Sequence, residues 1–121
     1  MRPEVLFVSP QVQDASRLAE LLIPLDLSLD HVPDLRTAQH RLRRIAYRVI
    51  LTEDVLADGG WIDILELARE LAPKTEVMVT SRLADTRLWA EVLNRGAFDL
   101  LPQPFCGGEV RRIFENVYAV A

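Results

Sequence analysis

The stretch from Val49 to Trp61 (VILTEDVLADGGW) constrains the chain most. Val49, Ile50, Leu51 and Thr52 suit a β-strand, and they run straight into two carboxylates, Glu53 and Asp54. A loop with Asp58 and two glycines follows. Trp61 then opens a helical pattern, with Ile64, Leu65, Ala68 and Leu71 on one face. An apolar strand that turns tightly into an amphipathic helix is half of a parallel β–α unit. The acids therefore fall at the carboxyl edge of a parallel sheet, where open α/β folds bind their ligands.

The same alternation runs the length of the chain. Glu4 to Val8 (EVLFV) reads as a central strand, stopped by Ser9-Pro10 because proline has no N–H for a ladder. From about Asp14, Leu18, Leu21 and Leu22 form a helical stripe that ends at Pro24. Leu25, Leu27 and Leu29 alternate with Asp26, Ser28 and Asp30, which predicts a strand with one wetter face at a sheet edge. Pro33-Asp34 starts a second helix with Asp34 as N-cap, and Leu35, Ala38, Leu42, Ile45 and Ala46 keep helical spacing. The helix from Trp61 ends at Ala72-Pro73. Glu76 to Thr80 is a strand closing on Ser81, Asp85 to Arg95 a helix with Gly96 at C′, and Phe98 to Leu101 a short strand. Pro102-Gln103-Pro104 cuts that strand off. A last helix, Gly108 to Tyr118, turns Val110, Ile113, Phe114 and Val117 inward. Five strands alternating with five helices demand right-handed crossovers. The expected architecture is one doubly wound α/β domain over residues 1–121, a five-stranded parallel sheet in three α/β/α layers.

Bulk properties narrow the function. A chain of 121 residues, half apolar, supports one core, and a formal net charge of −4 argues against nucleic acid or an anionic membrane as partner. Apolar runs fall well short of the roughly 20 residues that span a bilayer. Cys106 is the one cysteine and has no internal partner, which suits a reducing, cytoplasmic setting. His31 and His40 lack metal-ligand spacing, no phosphate-binding glycine motif occurs, and no histidine is placed to activate Ser9 or Ser81. Arg36, Arg41, Arg43, Arg44 and Arg48 crowd the second helix with His40, a charge run that reads as a solvated face or a dock for an acidic protein.

Three segments carry a resemblance: the L-x-D-G-G-W loop into the third helix, the strand end VTS from Val79, and RGAFDLLPQPF from Arg95 to Phe105. The last is similar, position by position, to the G-A-x-D-Y-L-x-K-P-F segment of response-regulator receiver domains (CheY-like). The resemblance covers essentially the whole chain and implies the flavodoxin-like strand order 2-1-3-4-5. In such domains an aspartate ending the third strand accepts a phosphoryl group from a histidine kinase. An acidic pair after the first strand holds Mg²⁺, and a lysine after the fifth strand pairs with the phosphoryl oxygens. A Thr/Ser ending the fourth strand and an aromatic residue on the fifth then shift together. Carried over, the acidic pair falls on Ser9 and Pro10, and the phosphoacceptor on Glu53, or on Thr52 if the register moves by one. The hydroxyl falls on Thr80, followed by Ser81, the aromatic on Leu100 and the lysine on Gln103.

Four of those five positions are altered, and coherently. At an effective dielectric near 20, a unit charge about 4 Å away is worth roughly 4 kcal/mol, so losing the acids or the lysine alone would unbalance the site. Losing both leaves Glu53 facing neutral donors such as Thr80, Ser81 and Gln103, with no need of a metal. The expectation is a pseudo-receiver: a non-enzymatic, cofactor-free signalling domain acting by protein–protein contact, whether Glu53 mimics a phosphoryl charge or is simply a solvated acid. Its partner would be a histidine kinase or another regulator. A homodimer would use the face of the fourth helix, fifth strand and fifth helix, where Trp89, Arg95, Phe98 and Arg111 are candidates. The alternative is a phosphorelay receiver in which Asp54, Asp58 or Asp14 rebuild a Mg²⁺ site, with Asp54 expected on the opposite face of its strand.

Overall fold

A computed structural model describes residues 4–120. In chain order it contains β1 (Val5–Val8), α1 (Val12–Leu22), β2 (Leu29–Val32), α2 (Leu35–Leu42), β3 (Val49–Glu53), β4 (Val55–Leu56), β5 (Gly59–Gly60), α3 (Trp61–Leu71), β6 (Glu76–Ser81), α4 (Thr86–Asn94), β7 (Asp99–Pro102) and α5 (Gly107–Val120). The main sheet has the order β2-β1-β3-β6-β7, parallel throughout. Setting the small β4–β5 hairpin aside, that is the expected 2-1-3-4-5 order. The strand order reverses between β1 and β3, so the crevice at their carboxyl ends is the topological switch point.

Alternation along the strands builds two cores. Val5, Phe7, Val49, Leu51, Met78 and Leu101 face one side and pack against Leu18 and Leu22 of α1 and Ile113, Phe114 and Val117 of α5. Leu6, Val8, Ile50, Val77, Val79 and Leu100 face the other, against Ala38 of α2, Ile64 and Leu65 of α3, and Val92 of α4. Covering both faces is what a parallel sheet requires. The helix ends follow local chemistry. Asp34 accepts from the Thr37 N–H at 2.8 Å, and Asp85 accepts from the Leu88 N–H at 2.8 Å. Gly96 closes α4 at φ 95°, a left-handed conformation that L side chains rarely adopt.

Beyond the second helix, which stops at Leu42 and leaves Ile45 and Ala46 in the connection to β3, two features differ from the sequence expectation. The second strand begins at Leu29, not Leu25: Ile23–Leu25 form a 3₁₀ turn and Asp26 sits at φ 58°. Leu25, Leu27 and Leu29 still pack partly against the α1/α5 core, so the alternation marked burial correctly but not backbone conformation. Pro24 presets φ for a turn, and aspartate is one of the few residues that tolerates the left-handed region after it. The second difference is the β4–β5 hairpin, which folds the loop after β3 back on itself, with Val55 paired to Gly60 and Leu56 to Gly59. Strands of two residues carry no periodicity to read.

Candidate functional site

β1 and β3 deliver Ser9 and Glu53 to the switch point, β6 delivers Thr80, and the chain leaving β7 delivers Gln103. These four residues converge. The Glu53 carboxylate is buried, with the residue only 9% exposed. Its Oε1 accepts from Gln103 Nε2 at 3.0 Å and from Ser9 Oγ at 3.3 Å. Gln103 Nε2 also donates to Thr80 Oγ1 at 3.1 Å, and Thr80 donates its own proton to the Leu101 carbonyl at 2.7 Å. Ser9 Oγ in turn accepts from the Gln11 N–H at 3.1 Å. A chain of neutral donors thus holds one carboxylate. Burial is the main influence on Glu53 and pushes its carboxyl above the ordinary value. The Gln103 and Ser9 hydrogen bonds pull it back in part, while the charges of Asp14 and Asp54 push it further up. Gln103 Oε1 is buried without a hydrogen-bond partner among the described residues.

This geometry corrects several expectations. Glu53 is not a solvated acid at a strand end. Its donors are Gln103 and Ser9, whereas the Ser81 hydroxyl goes to Asp54 Oδ2 at 3.0 Å and Thr80 reaches Glu53 only through Gln103. Glu53, not Thr52, shares the face of Ser9, Thr80 and Gln103. Thr52 is also buried, but alternation points it the other way, and its hydroxyl donates to the Glu53 carbonyl at 2.9 Å. Asp54 does not take the opposite face of a strand, because β3 ends at Glu53. It lines the same small cleft as Glu53, about 260 Å³, together with Pro10, Gln11, Ser81 and Arg82. Pro10 is exposed on that rim and contributes no carboxylate and no N–H.

The acids that could have rebuilt a cation site are each engaged elsewhere. Asp14 takes both of its contacts from the Arg82 guanidinium, at 2.9 Å. Asp58 reaches across from the hairpin to accept the Leu35 N–H at 2.9 Å and the Arg36 N–H at 3.1 Å, which satisfies two open donors at the start of α2. Among the described residues no three His, Cys, Asp or Glu side chains are grouped to hold a metal. A Mg²⁺ ion wants several oxygen ligands in octahedral array, and the position of the acidic pair offers one serine hydroxyl and a proline. The residues present do not fit that ion. The Arg82–Asp14 pair, which ties the β6–α4 loop to α1 beside the cleft, was not foreseen from the sequence.

The face of α4, β7 and α5 holds a groove of about 710 Å³. Trp89, 47% exposed, lines it with Phe98, Leu93, Asp99 and Arg112, and Trp89 Nε1 donates to Asp99 Oδ1 at 3.3 Å. Leu100 lies beneath, buried in the core. Two of the four expected surface residues do not line this groove. Arg95 is exposed at the end of α4, where its carbonyl accepts from Arg69, and Arg111 lines a separate cleft with Leu21 and Pro24. The arginine on this groove is Arg112, paired with Glu109 at 2.9 Å one turn away. That i, i+3 pairing is the sequence signal that could have found it. No helix among the described residues is long and apolar enough to cross a membrane.

Neither a family profile nor a curated protein matches the chain. Solved structures do. The receiver domain of the Francisella response regulator 1452 is similar at 21% identity and a TM-score of 0.84, covering 99% of this chain and 100% of that one. The chemotaxis response regulator CheY4 of Vibrio cholerae is similar at 15% identity and a TM-score of 0.84, over 97% and 99%. The beryllofluoride-activated NtrC4 receiver domain, a dimer, is similar at 22% identity and a TM-score of 0.81, over 95% and 93%.

Proposed function

We propose that this chain, which has the fold of response-regulator receiver domains, is a pseudo-receiver: a signalling module of two-component type whose phosphoryl-transfer site has become a metal-independent, hydrogen-bonded carboxylate. The observation that carries this is the set of partners around Glu53. A phosphoacceptor needs cations to offset developing phosphoryl charge, and here Gln103 and Ser9, both neutral, occupy its carboxylate. With Thr80 and Gln103 bonded to each other and Leu100 buried, the positions that move in an active receiver are tied into one arrangement. Output then comes from contact with a protein partner, a histidine kinase or another regulator. The α4–β7–α5 groove around Trp89 and Phe98 is the surface for that partner or for a second copy. The protein works without a cofactor and as no enzyme, and a cytoplasmic setting suits its exposed free thiol, Cys106.

Intact-mass spectrometry after incubation with acetyl phosphate and Mg²⁺ tests this directly. The expected result is an unmodified mass. A phosphoryl adduct mapped to Glu53 or Asp54 overturns the proposal in favour of a phosphorelay receiver with displaced ligands.

A further inference from the structure

At the end of the sheet away from Glu53, the α2–β3 connection and the α3–β6 connection close around a second cleft of about 490 Å³. Its walls hold Arg43, Arg44, Arg48 and Lys74 and no carboxylate. All four cations are exposed, and none of them forms an ion pair among the described residues. Arg41, the neighbouring arginine, is different: it is committed to Asp30. In a chain of 14 cations and 18 acids, an acid-free cleft with four cations runs against the overall balance. The cations repel one another there, and an anionic occupant relieves that repulsion.

The cleft also has an apolar part, and hydrogen bonds join its two walls. Ile45 and Leu71 contribute to its floor. The two connections are stitched together by the Thr75 hydroxyl, which donates to the Tyr47 carbonyl at 2.7 Å, and by the Glu76 N–H, which donates to the Arg48 carbonyl at 3.2 Å. Arg48 is held over the Tyr118 ring, 4.6 Å from its centroid. An apolar lining beside cations that have no carboxylate partner selects a ligand with an apolar group flanked by acids. Nucleic acid fits less well. Tyr47 is buried and a face of Tyr118 is covered by Arg48, so neither offers a base a free stacking face, and the net charge of −4 opposes a polyanion.

We infer that this cleft is a docking site for an acidic segment of a protein partner carrying an apolar anchor residue, separate from the Glu53 site and from the Trp89 groove. Selection of random displayed peptides on the immobilised full chain tests it. The most enriched peptide is then labelled and titrated by fluorescence polarisation. The selected peptides should carry Asp and Glu around a Leu, Ile or Phe. Binding should weaken by about tenfold or more, equivalent to about 1.4 kcal/mol, for the Arg44→Glu/Lys74→Glu variant and for the peptide with Gln in place of Glu. It should hold for Arg87→Glu on α4, and it should weaken as salt rises. Circular dichroism checks that the double variant is folded. Peptides without acid enrichment, or equal binding by the double variant, overturn the inference. So does tighter binding of a thymidine oligonucleotide or of phosphatidylserine vesicles through the same residues.

Discussion

Replacing Gln103 by methionine, of similar length but without the amide, isolates what the neutral donor does for Glu53. Gln103 Nε2 lies 3.0 Å from Glu53 Oε1, and a hydrogen bond to an ionised group contributes about 1.5–3 kcal/mol. The 3.1 Å bond to Thr80 adds roughly 0.5 kcal/mol or less, because Thr80 keeps its bond to the Leu101 carbonyl. Against these stands the unpartnered Gln103 Oε1, whose burial costs about 1 kcal/mol and which methionine removes. The net loss at neutral pH is therefore about 0.5–2.5 kcal/mol. When Glu53 is protonated the bond falls to the neutral value, about 1 kcal/mol, and the offset cancels it. Urea unfolding followed by tryptophan fluorescence, with buried Trp61 as reporter, should show the full loss near neutrality and almost none in acid. An equal loss at both pH values would mean that Gln103 contributes packing only. No loss at either would mean that the contact with Glu53 does not form in solution.

Three further outcomes are expected. Burial holds the folded carboxyl of Glu53 above its ordinary value, so the folded chain binds that proton more tightly than the unfolded chain does. Its contribution is thus most favourable below the unfolded value and declines as pH rises through the window up to the raised folded value. Glu53→Gln should flatten that decline in denaturation curves taken across the window; a steeper slope would contradict the burial. Asp58→Ala removes acceptors from the Leu35 and Arg36 N–H groups and should cost about 1–2 kcal/mol, with faster amide exchange at those two residues than at Leu88, which Asp85 caps independently. Trp89→Ala should leave thermal stability within about 1 kcal/mol, since the side chain is half exposed, yet weaken partner binding or self-association in light scattering about tenfold or more. Unchanged association would move the interface off the α4–β7–α5 groove.

What could be read from the sequence was whatever depends on neighbours along the chain. The apolar run that opens β3, the cap at Asp34, and Gly96 at its left-handed turn each follow from local chemistry, and the structure has all of them. The strand order followed from the resemblance, and the parallel sheet from the alternation of strands and helices. The misplaced start of β2 shows where pattern stops. Leu25, Leu27 and Leu29 can bury alternately in a turn as well as in a strand, and only Pro24 and Asp26 hinted at which. The site was legible in composition but not in pairing. Asp14 and Arg82 are 68 positions apart, and Ser9 and Glu53 are 44 apart, so nothing local announced either contact. Arg111 and Arg112 illustrate the finest limit: one residue on a helix turns the side chain by about 100°, enough to send one into a different cleft.

In the proposed pseudo-receiver, the arrangement around the switch point balances the site without a metal ion or a lysine. In a metal-bridged site several acids depend on one cation, and removing the cation leaves them repelling one another. Here Asp14 has the Arg82 guanidinium, Asp54 has the Ser81 hydroxyl, Asp58 has two backbone N–H groups, and Glu53 has Gln103 and Ser9. Each carboxylate is satisfied by a partner from another element, so the acids are coupled through the fold and not through a shared ligand. The Glu53 group in particular joins the ends of β1, β3, β6 and β7 by hydrogen bonds that need no reaction to form. On the proposed reading, a receiver fold wired this way holds its effector face in one arrangement. What it can transmit is then decided by what docks on it.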